Sequence, residues 1–163
     1  MSDTFGKGSI YEWTPTLVGG AVAAGDVLVP GETLRMLPNA GKPALLTAIN
    51  VIVTDDVSND TGPKLEICIF GLETVSLGTE DAAVSITDAD AKTIVAKVIV
   101  ETTDYTDWIN SVSAEVNGIN KLLRANSSAA DPRDLRVGII DRTGSIPTWS
   151  VGGLTVHFHL LHT

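Results

Sequence analysis

The segment LTVHFHLL, residues 154–161, alternates apolar and polar side chains over most of its length. Successive side chains of a β-strand point to opposite faces of a sheet, so a period of two predicts a strand with one buried face. This is the cleanest such pattern in the chain. The alternating residues are Leu154, Val156, Phe158 and Leu160 on the apolar side and Thr155, His157 and His159 on the polar side.

Further runs rich in β-branched residues recur along the chain, among them PALLTAINVIV, KLEICIFGL, TIVAKVIV and LRVGIID. Clusters of Gly, Pro, Asn and Asp separate them, and helical periodicity is nearly absent. This arrangement predicts about eight strands and almost no helix. The fold class that it indicates is all-β, an antiparallel β-sandwich of jelly-roll-like type, with a closed barrel as the alternative.

Two dipeptides predict turns inside strand-like segments. Pro30-Gly31 interrupts DVLVPGETLRML, which is therefore either two short strands or one bent strand. Asn117-Gly118 interrupts SVSAEVNGINKLLRAN, and this dipeptide is a strong signal for a tight hairpin. We therefore interpret the second segment as a pair of strands.

The stretch TEDAAVSITDADAKTIVAKVIV, residues 79–100, joins an acidic half to a strand-like half. Thr87 and Asp90 have the spacing of a helix N-cap with an acidic first turn, which predicts one helical turn between Asp88 and Lys92. The residues before this turn are interpreted as a polar loop that decorates a β-scaffold for binding other proteins.

The chain of 163 residues suits one domain. Residues 1–9 are small and polar and predict a flexible N-terminal arm, and residues 10–163 are expected to form a single β-sandwich domain. Pro15 in the strand-like segment after the arm predicts an edge strand. Apolar side chains so close to the arm need a cover, from the protein's own core or from a neighbour. The candidate interface residues are Ile10, Tyr11, Trp13 and Leu17.

Charge argues against several classes of partner. The formal net charge is −9, and an acidic body is repelled by phosphate backbones and by anionic lipid, so neither nucleic acid nor membrane is an expected partner. No signal peptide or membrane-spanning pattern is recognised, so synthesis in the cytoplasm is expected. The single cysteine, Cys68, excludes an intrachain disulfide, and its place in KLEICIF predicts a buried structural role.

Two sequence patterns resemble metal-binding sites, and both are incomplete. His157 and His159 lie on one strand face, as in the His-x-His strand of the cupin jelly rolls, but the further ligands of that family are missing. A calcium loop starting at Asp56 would need Gly at its sixth position and Glu at its twelfth, where this chain has Thr61 and Ile67. No phosphate-binding loop or nucleophile elbow is present either. We therefore expect no metal, no cofactor and no catalytic residue.

KLEICIFGLETVSLGTEDAAVSITDADAKTIVAKVIV resembles a family of small β-rich virion proteins of tailed bacteriophages. In that family a strand ending in an aromatic residue precedes a polar loop, the pattern D-x-A-A-x-x-I-x-D-A-D and a further strand. LRVGIIDRTGSIPTW and GGLTVHFHLLH resemble its closing strands, so the likeness covers residues 45–162. The matching residues are Phe70, Asp81, Ala82, Ala83, Ile86, Asp88, Ala89 and Asp90.

The resemblance implies a structural virion protein on the phage head surface that decorates or cements the capsid. Its implied partners are the major capsid protein and further copies of itself, in a homo-oligomer expected to be a trimer, and it implies no site residue. One alternative is a carbohydrate- or receptor-binding module of a phage tail or fibre, for which Trp108 and Trp149 are the candidate contacts. A metal-dependent enzyme using His157 and His159 is the other.

Overall fold

The computed structural model describes residues 7–17, 19–38, 42–54, 62–108, 110–143 and 148–162. Within these ranges lie eleven strands, one helical turn (α1, Asp88–Ala91) and one 3₁₀ turn (Thr102–Asp104). The strands are β1 Gly8–Trp13, β2 Gly20–Ala21, β3 Val27–Arg35, β4 Ala44–Val53, β5 Leu65–Phe70, β6 Ile94–Val100, β7 Tyr105–Asp107, β8 Val112–Leu123, β9 Asp134–Asp141, β10 Thr148–Trp149 and β11 Leu154–His162.

The long strands form two antiparallel sheets. The first sheet has the order β1-β11-β4-β8-β7, the second has the order β3-β9-β5-β6, and β2 pairs with β10 in a separate two-stranded ribbon. Counted along the chain, the eight long strands lie in the orders 1-8-3-6 and 2-7-4-5. This is the strand order of a jelly roll, in which two Greek keys are wound together. The predicted all-β sandwich is confirmed, with two separate sheets rather than a closed barrel.

The core lies between the two sheets and is built from their inward-facing alternate residues. On β11 the apolar side of the alternating segment is buried, from Leu154 to Leu160, against Ile49 and Val51 of β4 and the inward residues of β5 and β9. A fully buried Leu, Ile or Phe side chain contributes about 1.5–3 kcal/mol relative to an exposed one. Because aromatic residues are few, aliphatic side chains provide most of this stabilisation.

β3 is one strand rather than two. Its pairing with β9 shifts register between Val27 and Val29 and again between Val29 and Glu32, and the second shift spans Pro30-Gly31. Gly31 has φ 148°, a value that only glycine adopts readily. The bent-strand alternative is therefore the correct one.

The predicted hairpin at Asn117-Gly118 is wrong, because residues 112–123 form the single strand β8. Asn117 pairs with Ala48 and Lys121 pairs with Leu46, so three residues of β8 lie opposite a single residue of β4. Gly118 has φ 70°, which it uses for a bulge and not for a turn that reverses the chain. Pairing with β4 along both halves is what keeps the segment in one strand, since it buries Val112 at one end and Leu123 at the other.

The predicted helical turn is confirmed as α1. Thr87 is its N-cap, and its side-chain oxygen accepts a hydrogen bond from Asp90 N at 3.1 Å. Asp88 and Asp90 lie in the first turn, where the exposed amides favour negative charge. In the part of the chain that the structure describes, no helix is long and apolar enough to cross a membrane.

The first sheet begins earlier than predicted. β1 starts at Gly8, which pairs with Leu161, whereas the arm was expected to extend to residue 9. Residues 1–6 of the predicted arm lie outside the described residues. β1 pairs with β11 alone and forms one edge of the first sheet, as Pro15 predicted.

Candidate functional site

The four predicted interface residues lie in different environments. Trp13 and Leu17 are buried in the main core, and Tyr11 is half-buried against it. Ile10 points to the opposite face of β1 and is 64% exposed. The predicted apolar surface is therefore corrected for Trp13 and Leu17, whose side chains are inside the sandwich, and of the four only Ile10 is largely exposed.

A single carboxylate ties the segment after β1 to the second sheet. Glu32 of β3 accepts hydrogen bonds from Trp13 Nε1 at 2.9 Å and from the Thr16 backbone N–H at 2.7 Å. The Trp13 ring also stacks on Phe158, with a centroid distance of 6.2 Å. The residues that follow β1 are therefore part of the fixed structure of the domain. Sequence reasoning missed Glu32, which nothing in its local sequence distinguishes.

The outer face of the first sheet, called here the open face, keeps many of its side chains accessible. Its middle row crosses four strands, with Glu12 opposite His157, His157 opposite Asn50 and Asn50 opposite Glu115. Glu12 and Glu115 are exposed, and the other two are half-buried. This row makes the centre of the open face polar and acidic.

One end of the open face carries an apolar group, called here the leucine patch and defined as Leu45, Leu122 and Leu161. Leu45 lies between the other two, paired with Leu122 on β8 and with Leu161 on β11. Leu122 is 54% exposed, and Leu45 and Leu161 are half-exposed. Three exposed basic side chains lie at the same end of the sheet: Lys7, Lys121 and Arg124. Lys121 pairs with the buried Leu46, so it lies on the side of the sheet opposite to Leu122.

The opposite end carries residues 101–108, called here the tryptophan loop. Trp108 is 62% exposed, and its Nε1–H donates to Ser113 Oγ at 2.7 Å, which holds the ring beside the first sheet. The loop contains three acidic residues and no basic one. Asp104 accepts a hydrogen bond from Glu101 N at 2.8 Å, and the Glu101 carboxylate pairs with Lys64 at 2.8 Å.

His157 and His159 share the open face, as predicted. His157 Nε2 lies 3.2 Å from Glu12 Oε2, while the strand positions beside His159 are Ile10 and Ala48. Among the residues that the structure describes, no group of three or more His, Cys, Asp or Glu could hold a metal ion. Most of the loop considered for calcium, from Asp55 onwards, lies outside those residues.

The outer face of the second sheet is covered over β3, β5 and β9, while Ile99 of β6 stays 40% exposed. Residues 71–87, called here the covering segment, lie across it: Leu77 N donates to Pro30 O at 2.8 Å, and Val27 N donates to Ala82 O at 2.9 Å. Arg136 Nε donates to Val75 O at 2.9 Å. The segment forms a second apolar cluster with the sheet, made of Val27, Cys68, Phe70, Val75, Leu77 and Ile140. The prediction that the residues from Thr79 to the start of α1 form a loop decorating the scaffold is therefore corrected, because they belong to this covering layer.

Cys68 lies inside this second cluster and is buried. Burial raises the pKa of its thiol to about 12, and the nearby Glu66 carboxylate acts in the same direction. A thiol with so high a pKa is a poor nucleophile at neutral pH. The burial agrees with the structural role predicted from the sequence.

Asp141 is a fully buried carboxylate at the end of β9. It accepts hydrogen bonds from Thr143 N at 2.7 Å and from Trp149 Nε1 at 3.0 Å. Burial raises the pKa of Asp141 above its usual range, although these donors act in the opposite direction. The Tyr105 hydroxyl is also buried, and desolvation raises its pKa, with the Asp141 charge as a smaller cause. Trp149 is buried as well, which removes it as a carbohydrate contact.

A cavity of about 310 Å³ lies between the β2–β10 ribbon and the covering segment. Trp149, Leu28 and Val22 form its apolar wall, and Glu80 and Asp81 supply its acidic side chains. Its size and apolar wall would suit a small side chain, and its carboxylates would favour one that carries positive charge.

No family model matches this chain, and no curated protein matches it. It is similar to chains from solved virus structures. For Cocksfoot mottle virus the identity is 12% and the TM-score 0.33, over 97% of this chain and 95% of that one. For the full particle of Israeli acute paralysis virus the identity is 9% and the TM-score 0.36, over 98% of this chain and 72% of that one. For Desmodium yellow mottle tymovirus the identity is 11% and the TM-score 0.29, over 97% of this chain and 82% of that one. At such TM-scores the likeness carries no argument, and the fold assignment rests on the strand order.

Proposed function

We propose that this protein is a structural component of a phage virion that binds the outer surface of the head and stabilises it. The observation that carries the proposal is that the outer faces of the two sheets are covered to different extents. The covering segment buries the outer face of β3, β5 and β9, whereas the open face presents Ile10 and the leucine patch to solvent. Exposed apolar groups on an otherwise acidic, well-packed domain are typical of a docking surface.

Two further observations support a virion role. The sequence resembles small virion proteins of tailed phages over residues 45–162, and the jelly roll is a fold that recurs in viral capsids. Fold alone does not determine function, so the resemblance and the open face have to be taken together. Weak contacts made by the linked subunits of an oligomer would add up to stable attachment, because the first contact raises the effective concentration for the others.

The experiment is a binding assay with purified phage heads that lack this protein. Heads are mixed with the wild-type chain, sedimented and analysed for bound protein, and their resistance to heat is compared with that of untreated heads. We expect saturable binding and a higher temperature of head disruption. Heads that neither retain the protein nor gain stability would contradict the proposal.

A matched pair of variants tests the open face. Ile10→Glu places a charge at an exposed position of that face, and Ile99→Glu places the same charge at a 40% exposed position on the other sheet. We expect Ile10→Glu to bind heads at least roughly tenfold more weakly and Ile99→Glu to bind like the wild type. If both variants bind heads equally well, the docking surface does not include Ile10.

The exposed indole of Trp108 favours a carbohydrate- or receptor-binding module as the second candidate function. Sugars stack on exposed aromatic rings, and Trp149 is too deeply buried to help. Binding to a glycan array that disappears in Trp108→Ala, together with an absence of binding to heads, would favour this function over the first.

A further inference from the structure

The outer edge of β1 carries backbone groups that no described residue pairs with. β1 pairs with β11 alone, and His162 N donates to Lys7 O at 3.1 Å, so these two residues form a hydrogen-bonded pair. In an antiparallel ladder such pairs alternate with pairs whose N–H and C=O groups point away from the partner strand. The backbone groups of Gly8, Ile10 and Glu12 therefore point away from β11, and within the described ranges nothing hydrogen-bonds to them.

The other edges of the two long sheets are protected against further pairing. The covering segment hydrogen-bonds to the edge of β3, where Asp81 N donates to Val27 O at 2.9 Å. β7 has only three residues, and β6 carries Lys97 at its middle. Short strands and lysines are usual protections of a sheet edge. β1 has six residues without proline or lysine, and its pairing with β11 has no bulge, so a further strand can pair along it.

The side chains of β1 fit a second copy of the same strand. Consider two antiparallel β1 strands with Ile10 of one copy opposite Ile10 of the other. On the open face Glu12 then lies opposite Gly8, and on the inner side Tyr11 lies opposite Ser9. A large side chain meets a small one on both sides of the sheet, and no like charges meet. A pair centred on Glu12 would instead place two carboxylates opposite each other, which is destabilising.

We propose that β1 of one copy of this chain pairs with β1 of a second copy about a two-fold axis at Ile10. Each hydrogen-bonded pair in this register exchanges two bonds, so the outward backbone groups of Gly8, Ile10 and Glu12 all gain partners. Glu12 keeps His157 at 3.2 Å, because both residues belong to the same copy. The two first sheets become one continuous sheet.

The two-fold axis is perpendicular to the joined sheet, so both open faces point the same way. The two Ile10 side chains, each 64% exposed in the single chain, then form one apolar patch between them. This inference deepens the proposed function and rests on it, because it links two docking faces into one surface whose contacts reinforce each other. A two-fold contact of this kind makes a dimer, in place of the trimer that the family resemblance implies.

Cysteine cross-linking in the full chain tests the register. The Cα atoms of a hydrogen-bonded pair lie about 5.5 Å apart, within the range of a disulfide, so Ile10→Cys should form a disulfide-linked dimer under mild oxidation. Glu12→Cys is the matched control on the same face of the same strand. In the proposed register its two copies are about 13 Å apart along the strand, too far for a disulfide. Cys68 is buried and does not compete.

Molar mass by light scattering after size exclusion, over a series of protein concentrations, measures the contact without a cross-link. We expect the wild type and Ile99→Glu, on the second sheet, to reach the mass of a dimer. Ile10→Glu puts two carboxylates at the axis and should need at least roughly tenfold more protein to dimerise. Ile10 and Ile99 both have exposed side chains, so both variants should keep the wild-type circular dichroism spectrum and urea midpoint.

Three results would overturn the inference: a monomeric wild type at every concentration, an Ile10→Glu variant that dimerises like Ile99→Glu, or a Glu12→Cys variant that cross-links as readily as Ile10→Cys. Failure here and failure of the proposed function can be told apart. A chain that is monomeric in solution but binds heads refutes the pairing of two copies and leaves the function standing. If Ile10→Glu then binds heads less, the partner at this edge is the head protein. A dimer that binds no heads refutes the function alone.

Discussion

At the scale of single residues, Gly138 shows how closely the covering segment fits its sheet. A side chain at this position of β9 would place its Cβ 2.6 Å from Leu77 Cδ1 and 3.1 Å from Val29 O. We expect Gly138→Ala to lower the free energy of unfolding by about 1–3 kcal/mol, because the extra methyl overpacks a filled space. Urea denaturation of the wild type and the variant measures this loss in the free energy of unfolding. Gly8→Ala is the control, since its Cβ would meet nothing closer than 4.0 Å. Equal stability of the two variants would contradict the tight fit.

The buried carboxyl group of Asp141 predicts how the stability of the domain depends on pH. Its pKa is raised by burial, so over a window above the usual Asp range the folded state holds a proton that the unfolded state has lost. Stability from this group is therefore complete at low pH and falls as pH rises through the window. The expected result is a free energy of unfolding that decreases with pH more in the wild type than in Asp141→Asn, between about pH 4 and 8. Urea titrations at several pH values measure both slopes, and parallel slopes would contradict the shift.

At the scale of elements, the covering segment acts as a third layer on one side of the sandwich. It is joined to β3 by backbone hydrogen bonds and to β9 by the Arg136 side chain. Its apolar side chains are few, with Val75 and Leu77 the most deeply buried. A layer held by so few groups should open locally before the two sheets separate.

Leu77→Ala tests this opening. We expect a loss of about 2–5 kcal/mol in the free energy of unfolding, because the substitution leaves a cavity beneath the segment. Cys68 lies in the same cluster, so it should also react faster with a thiol reagent under native conditions, by roughly tenfold for each 1.4 kcal/mol of lost local stability. Ile99→Ala, an exposed position on β6, is the control for both measurements. Unchanged labelling of Cys68 in Leu77→Ala would show that the segment does not open on its own.

At the scale of the whole molecule, β1 and the residues after it belong to the domain. Deleting residues 1–17 would remove an edge strand of the first sheet and the buried side chains of Trp13 and Leu17. Loss of large core side chains costs about 2–5 kcal/mol each, which is comparable to the whole stability of many domains. We therefore expect this truncation to be unfolded by circular dichroism. Deletion of residues 1–6 removes none of the described strands and is the control. A folded 18–163 fragment would contradict the assignment of these residues to the core.

The sequence by itself determined the class of fold and the inward faces of the strands. Alternation in residues 154–160 and β-branched runs elsewhere follow from the pleat of a strand, which is local geometry that one sheet face imposes on any buried strand. The cap at Thr87 and the bend at Pro30-Gly31 are likewise local, and both were predictable for that reason. Of the open face, the sequence indicated Ile10 and the shared face of His157 and His159.

Only the tertiary structure decided which strands pair and which surfaces are left uncovered. His157 meets Glu12, which lies 145 residues away, and Trp13 meets Glu32, because jelly-roll winding brings these strands together. Asn117-Gly118 became a bulge because pairing with β4 on both sides outweighed a local turn preference. The leucine patch exists only where three strands lie side by side, and the covering segment is distinguished from a free loop only by what it buries. Contacts between distant residues depend on the path of the whole chain, and no local pattern encodes that path.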